Sequence, residues 1–176
     1  GLIDHDAGMV QYSSRFQWRD VPLRALLSER MGGVTVMLDN DVKAWALAER
    51  QFGALRAHDN AVLLSIGNGV GAAVLLEGEI YRGRNSMAGE IGHVSVGGSE
   101  RLCECGKLGC LEAELSDRAI VRQARLARPE ATLDDVFDDC ARGRPWACAL
   151  MERVVDNACI AINLLANAYA PDAIVL

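Results

Sequence analysis

Three cysteines within eight residues constrain this chain more than any other feature. Cys103, Cys105 and Cys110 stand in the run CECGKLGC, spaced C-x-C-x4-C, with His93 upstream at the end of AGEIGH. Three soft thiolates and an imidazole at this spacing suit a tetrahedral zinc ion. Four protein ligands leave no open coordination position, so the predicted site is structural: it organises a loop and does not activate water. The competing reading is that these cysteines are small buried apolar residues. It fits poorly beside Gly106 and Gly109, where no apolar periodicity surrounds them, and it applies instead to Cys140, Cys148 and Cys159, which fall on helical patterns.

A metal-pinned loop needs a scaffold. The 176 residues, 51% hydrophobic and 24% charged, suffice for one compact domain or two small lobes and exclude disorder and fibrous repeats. Lys and Arg number 18 against 24 Asp and Glu, a net charge of -6. Such a chain repels phosphate backbones as a whole, so DNA or RNA would have to be held by a domain outside it. No apolar run of about eighteen residues appears, nor a basic start leading into an apolar stretch, which predicts no membrane span, no signal peptide and a cytoplasmic location. The chain opens at Gly1 and closes inside the apolar run PDAIVL, which reads as a strand, so a fragment of a longer protein is expected.

Residues 34–38 (VTVML) predict a strand, followed by a polar turn of Asp39, Asn40 and Asp41 and a helix running to Phe52. Residues 61–66, the turn GNGVG, residues 72–76, the turn at Glu77 and Gly78, and residues 79–82 predict a series of antiparallel hairpins. Residues 83–109 are glycine-rich and aperiodic, a long loop of the kind that is functional or metal-pinned. Ser116 caps a predicted helix to about Arg128, stopped by Pro129; Thr132 caps a short one, and residues 144–170 form the longest, with a wide apolar face. The expectation is a mixed α/β architecture in two lobes, 1–58 and 59–176, divided at the polar link around His58.

A second constellation is polar: Asn40 and Asp41 at a strand end, Glu90 and His93 in AGEIGH, and Glu112 two residues after the last cysteine. Ligands of open α/β sheets bind beyond the carboxyl ends of strands, where this turn is expected. One of Asn40 and Asp41 is enough to cap the following helix, which leaves amide and carboxylate groups for sugar hydroxyls, with Asp41 able to act as general base. Trp18 and Trp45 read as core packing, and Arg118, Arg122 and Arg125 as an exposed, solvated helix face.

The segments NDVKAWALAE, SIGNGVGAAVLLEGEIYRG, AGEIGH and CECGKLGCLE, in this order, resemble the ROK family of bacterial sugar kinases and sugar-responsive repressors. The resemblance implies an actin/hexokinase-like (ribonuclease H-like) α/β fold of two lobes around a cleft. It implies zinc on His93, Cys103, Cys105 and Cys110, and sugar contacts from Asn40, Asp41, Glu90, His93 and Glu112. In kinases of the family Asp41 matches the base, and ATP and magnesium follow only in that case. One ring nitrogen of His93 on zinc would leave the other protonated, an oriented donor to a sugar hydroxyl. Where such kinases carry a GTGIGGG-like phosphate loop, this chain has a degenerate version, Gly67, Asn68, Gly69, Val70 and Gly71, followed by Ala72 and Ala73. A threonine hydroxyl is lost, and the two alanines are expected to crowd the backbone. Lys43 stands where the family often has asparagine. These departures, with WRDVPLRALL, favour the repressor branch: a sugar-sensing domain with an interlobe ligand cleft, DNA contacted only through a domain outside this chain, and a homodimeric or homotetrameric assembly. The alternative is an ATP-dependent sugar kinase of glucokinase, fructokinase or N-acetylhexosamine kinase type.

Overall fold

Four apolar runs line up as one sheet in the computed structural model, which describes residues 1–13 and 15–176. They are β4 (Ala61–Ile66), β5 (Val70–Leu76), β6 (Glu79–Tyr81) and β7 (Ala173–Val175), in the order β6-β5-β4-β7. Ahead of them lies a sheet of β1 (Leu2–Asp4), β2 (Met9–Ser13) and β3 (Trp18–Val21), antiparallel throughout, with Val10 opposite Val21 and Tyr12 opposite Arg19. The helices are α1 (Leu23–Arg30), α2 (Asp41–Phe52), α3 (Glu112–Leu115), α4 (Asp117–Ala127), α5 (Leu133–Ala141) and α6 (Pro145–Tyr169). No helix among the described residues is long and apolar enough to cross a membrane.

The chain forms two compact units, residues 1–63 with 72–89 and 175, and residues 64–71 with 90–174 and 176. In the first, Ala46 of α2 packs with Leu55, Ala61, Leu63, Ala73, Leu75 and Ile80, and Val42 and Val175 lie against them. The β5–β6 hairpin forms as its sequence predicts. Leu75 pairs with Ile80, and the two turn residues have positive φ, +53° at Glu77 and +82° at Gly78, the pattern whose twist matches that of the strands. The link before β4 closes this turn: Gly78 donates to the Asp59 carbonyl at 2.8 Å and Glu77 to the Asn60 side chain at 3.2 Å.

In the second unit Ile120 and Ala124 of α4 pack on Ala131, Val136 and Leu150. Ser116 caps α4 by accepting from the Ala119 N–H at 3.3 Å, and Thr132 with Asp135 forms a reciprocal capping box on α5. These helix starts coincide with the polar residues that predicted them. The apolar face of α6 is only partly covered: Leu150 and Leu165 are buried, whereas Val155, Ile160 and Leu164 are exposed.

Two expectations fail. Residues 34–38 belong to no strand, and Val34 and Met37 are 51% and 71% exposed. β-branched residues stabilise a strand through cross-strand neighbours, and among the described residues no strand pairs with them. Trp45 faces outward on α2 at 57% exposure, because Lys43 and Ala46 occupy the buried side of that helix. Ala72 and Ala73 are buried in β5, and Ala73 serves the core.

Candidate metal centre and ligand site

Backbone geometry builds the loop that carries the cysteines. Cys103 donates to the Lys107 carbonyl at 2.8 Å and Gly106 to the Cys103 carbonyl at 2.9 Å, with Gly106 at φ +87°, a tight turn that glycine enters without strain. Val96 donates to the Gly109 carbonyl at 2.7 Å and Leu111 to the Val94 carbonyl at 2.9 Å, laying Cys110 alongside the segment after His93. A Cβ on Gly109 would stand 2.6 Å from the Ser99 carbonyl oxygen, which forbids any side chain there.

The ligating atoms of His93, Cys103, Cys105 and Cys110 all lie within 4.8 Å of one another. Cys103 Sγ is 3.7 Å from His93 Nδ1, and the Cys105 and Cys110 sulfurs are 3.6 Å apart. Zinc–sulfur bonds of about 2.3 Å in tetrahedral geometry put sulfurs about 3.8 Å apart, so the donor set fits such an ion. The surroundings disfavour a bare thiolate at two of the three cysteines. Burial pushes the Cys110 thiol up to about 12, helped by the neighbouring Cys105 and Cys103 thiols, and burial likewise raises Cys103. At Cys105 burial acts upward, but hydrogen bonding to Lys107 and to the other two thiols and the Lys107 charge bring the net shift down.

Glu112 begins α3 beside this cluster. Its Oε1 is 3.9 Å from Cys103 Sγ and its Oε2 accepts from the N–H of Val70, the first residue of β5 after the turn from β4, at 3.1 Å. The rest of that turn is also tied down: the Gly67 carbonyl accepts from Asp117 N–H at 2.8 Å and the Asn68 carbonyl faces the Arg118 guanidinium at 3.5 Å. Glu90 and His93 bracket one short 3₁₀ turn, with His93 N–H donating to the Glu90 carbonyl at 3.2 Å. The glycines of AGEIGH are needed for close approach to β5. A Cβ on Gly92 would stand 2.1 Å from the Val70 carbonyl oxygen, and one on Gly89 would stand 1.9 Å from that of Ala72. The second unit thus brings together His93, the three cysteines, Glu112 and the turn Gly67 to Gly71, with Glu90 at the start of the same 3₁₀ turn as His93.

Asn40 and Asp41 stand in the first unit. Asn40 is the N-cap of α2, its Oδ1 accepting from Val42 and Lys43 N–H at 3.0 and 3.3 Å, while Asp41 is exposed in the first helical turn. Asp39 supports the cap from behind: its Oδ1 accepts from the Asn40 N–H at 2.9 Å and its Oδ2 pairs with Arg82. Lys43 acquires a role that its sequence position did not reveal. It is 1% exposed, and its Nζ donates to the Ser86 carbonyl at 2.6 Å, holding a segment in which Asn85 and Ser86 both have positive φ.

The sequence reading also missed a clamp on the cysteine loop. Glu114, buried on α3, takes the Arg101 guanidinium at 2.7 and 2.5 Å and the Ser99 hydroxyl. A second acid in LEAEL, flanked by apolar residues, was its one local signal, since a buried carboxylate demands a cation. Of the arginine stripe, all three side chains are exposed as expected, but each is engaged: Arg118 pairs with Glu104 at 2.5 Å, and Arg122 and Arg125 donate to the Ala113 and Ala131 carbonyls.

The ROK family pattern matches residues 1–176. A glucokinase of Thermotoga maritima is 35% identical over all of this chain and 60% of its own length. The DNA-binding transcriptional dual regulator NagC of Escherichia coli is 31% identical over all of this chain and 46% of its own. A ROK family glucokinase from Streptomyces griseus, solved in complex with glucose and AMPPNP, superposes with a TM-score of 0.88 at 29% identity, covering 99% of this chain and 61% of that one. The chain therefore spans about half to three-fifths the length of these proteins. Its α/β elements are those of the actin/hexokinase-like fold. With the family pattern matched over its whole length and a relative 35% identical over all of it, the chain belongs to the ROK family.

Proposed function

We propose that this chain is the sugar-sensing, effector-binding domain of a ROK-family transcriptional regulator. Its ligand is a sugar or sugar derivative bound by Asn40, Asp41, Glu90, His93 and Glu112. Its metal is a structural zinc held by His93, Cys103, Cys105 and Cys110, which supplies rigidity and no reacting group. With Nδ1 turned toward the cluster, the far ring nitrogen carries the proton and donates to a sugar hydroxyl. Residues 1–58 belong on this reading to the N-terminal lobe and 59–176 to the C-terminal one. DNA is contacted through a domain outside the chain, in a cytoplasmic homodimer or homotetramer.

The observation that carries sensing over phosphoryl transfer is the occupancy of the β4–β5 turn. A nucleotide phosphate needs backbone N–H groups turned toward it. Here the Val70 N–H is taken by the Glu112 carboxylate, and Asn68 stands where the kinase loop carries a threonine, so one donor is engaged and one hydroxyl is missing. The second reading, an ATP-dependent sugar kinase using magnesium and Asp41 as base, is favoured by the exposed Asp41 and by the 35% identity to a glucokinase. The full-length gene product, given ATP, magnesium and a panel of hexoses and N-acetylhexosamines, separates the two. Sensing predicts calorimetric binding of a sugar with no phosphorylation at kinase rates. Turnover at roughly 1 to 100 per second, abolished by Asp41→Asn, establishes the kinase.

A further inference from the structure

Away from the metal centre, α5 and α6 form a tight helical hairpin that puts a second pair of thiols together. The turn between them depends on Gly143 at φ +71°, whose N–H donates to the Cys140 carbonyl at 2.9 Å. Cys148, in the first turns of α6, then comes back over the end of α5, with its Sγ 3.5 Å from the Cys140 carbonyl oxygen. The Cys148 side chain is also the largest influence on Cys140, raising its thiol. Core packing sets this placement: Val136 on α5 and Ala147 and Leu150 on α6 are buried and fix the rotation of both helices. Both cysteines are half-buried, open to a small oxidant and screened from bulky ones.

We infer that Cys140 and Cys148 are a modifiable dithiol, which a peroxide closes into a disulfide between the end of α5 and the start of α6. The chemistry balances with hydrogen peroxide as oxidant. One thiolate attacks the peroxide O–O bond, giving a sulfenic acid and one water. The second thiol then displaces the sulfenic hydroxyl as another water, and the S–S bond forms. The other cysteines are placed differently. Those at 103, 105 and 110 share the metal-type cluster, so oxidising them competes with metal, while Cys159 is exposed on the outer side of α6. Dithiols of this kind act in reducing compartments as transient, reversible switches. Closure here would staple a hairpin whose helices share the core of the second unit.

The test treats the protein as purified, freed of reductant, with a few equivalents of hydrogen peroxide, then alkylates and maps every cysteine by peptide mass. Cys140 and Cys148 are expected to lose alkylation together, to appear as one cross-linked pair lighter by two hydrogens, and to recover with dithiothreitol. Cys148→Ser should abolish the cross-linked pair. Two results overturn the proposal. In one, Cys140 and Cys148 stay fully alkylated while the cluster oxidises; in the other, both reach sulfinic acid with no cross-link formed.

Discussion

Glu112 reaches back across 42 residues to Val70, its Oε2 accepting the Val70 backbone N–H at 3.1 Å. The opposite oxygen, Oε1, faces Cys103 Sγ at 3.9 Å, so one carboxylate touches both the turn after β4 and the cysteine cluster. Removing it disturbs both. Glu112→Ala is expected to cost about 1 to 3 kcal/mol, the range for an orphaned buried donor that had a charged partner. Glu112→Gln, which keeps an acceptor for Val70, is expected to recover most of that. Urea denaturation of the two variants beside the parent checks this; equal losses would show that the Val70 bond does not carry the effect.

The glycines of AGEIGH make a steric prediction that does not depend on function. Gly92→Ala would set a methyl 2.1 Å from the Val70 carbonyl oxygen, backbone that has no flexible end to swing away. The variant should lose more than about 2 kcal/mol or fail to accumulate as folded protein. Gly97→Ala, at a position with no neighbour within 4 Å, is the matched control and should fold normally. Thermal melts of the pair decide it.

Metal content and pH form a third test. One zinc per chain is expected in protein prepared without chelators, with order around the cysteine loop lost when it is removed. In the metal-free cluster the Cys110 thiol is raised to about 12 by burial and by its two thiol neighbours, so binding a cation must expel protons. Zinc affinity should therefore fall as pH is lowered, and competition titrations at several pH values read this directly. The metal-free fold has the opposite sense. A folded-state value above the ordinary 9.0 favours folding below pH 9, and that contribution is lost as pH rises toward 12. Absence of stoichiometric zinc would remove the metal assignment.

Coupling between cluster and ligand is the fourth test. Cys103 Sγ is 3.7 Å from His93 Nδ1 and 3.9 Å from Glu112, so it orients both residues proposed to meet the sugar. Cys103→Ser should weaken sugar binding about 10- to 100-fold, the usual penalty for loosening what orients a ligand-bearing shell, although the thiol is not itself proposed to touch the sugar. Calorimetry on the folded variant measures it, and unchanged affinity would separate the two sites.

Much of this was legible in local sequence because its causes are local. Ser116 and Thr132 cap the helices they precede, since a hydroxyl reaches N–H groups two or three residues on. Glu77 and Gly78 make their hairpin turn because adjacent residues with positive φ close two strands with the right twist. Cys103, Cys105 and Cys110 could be read as a cluster because they belong to one short turn, and His93 joins them through two brief backbone pairings. Other features depend on what arrives from far along the chain, and no local pattern records that. Residues 34–38 have strand-forming side chains and no strand, because pairing needs a partner edge. Lys43 looked like a departure without a purpose until Ser86, 43 residues on, supplied the carbonyl for its buried ammonium. Arg101 and Glu114, like Val70 and Glu112, met only when α3 docked beside the loop and the turn. Caps, turns and ligand types were thus set by the order of residues alone. Which polar groups are buried, and with whom, was set by packing, because desolvation has no cost until a neighbour displaces the water.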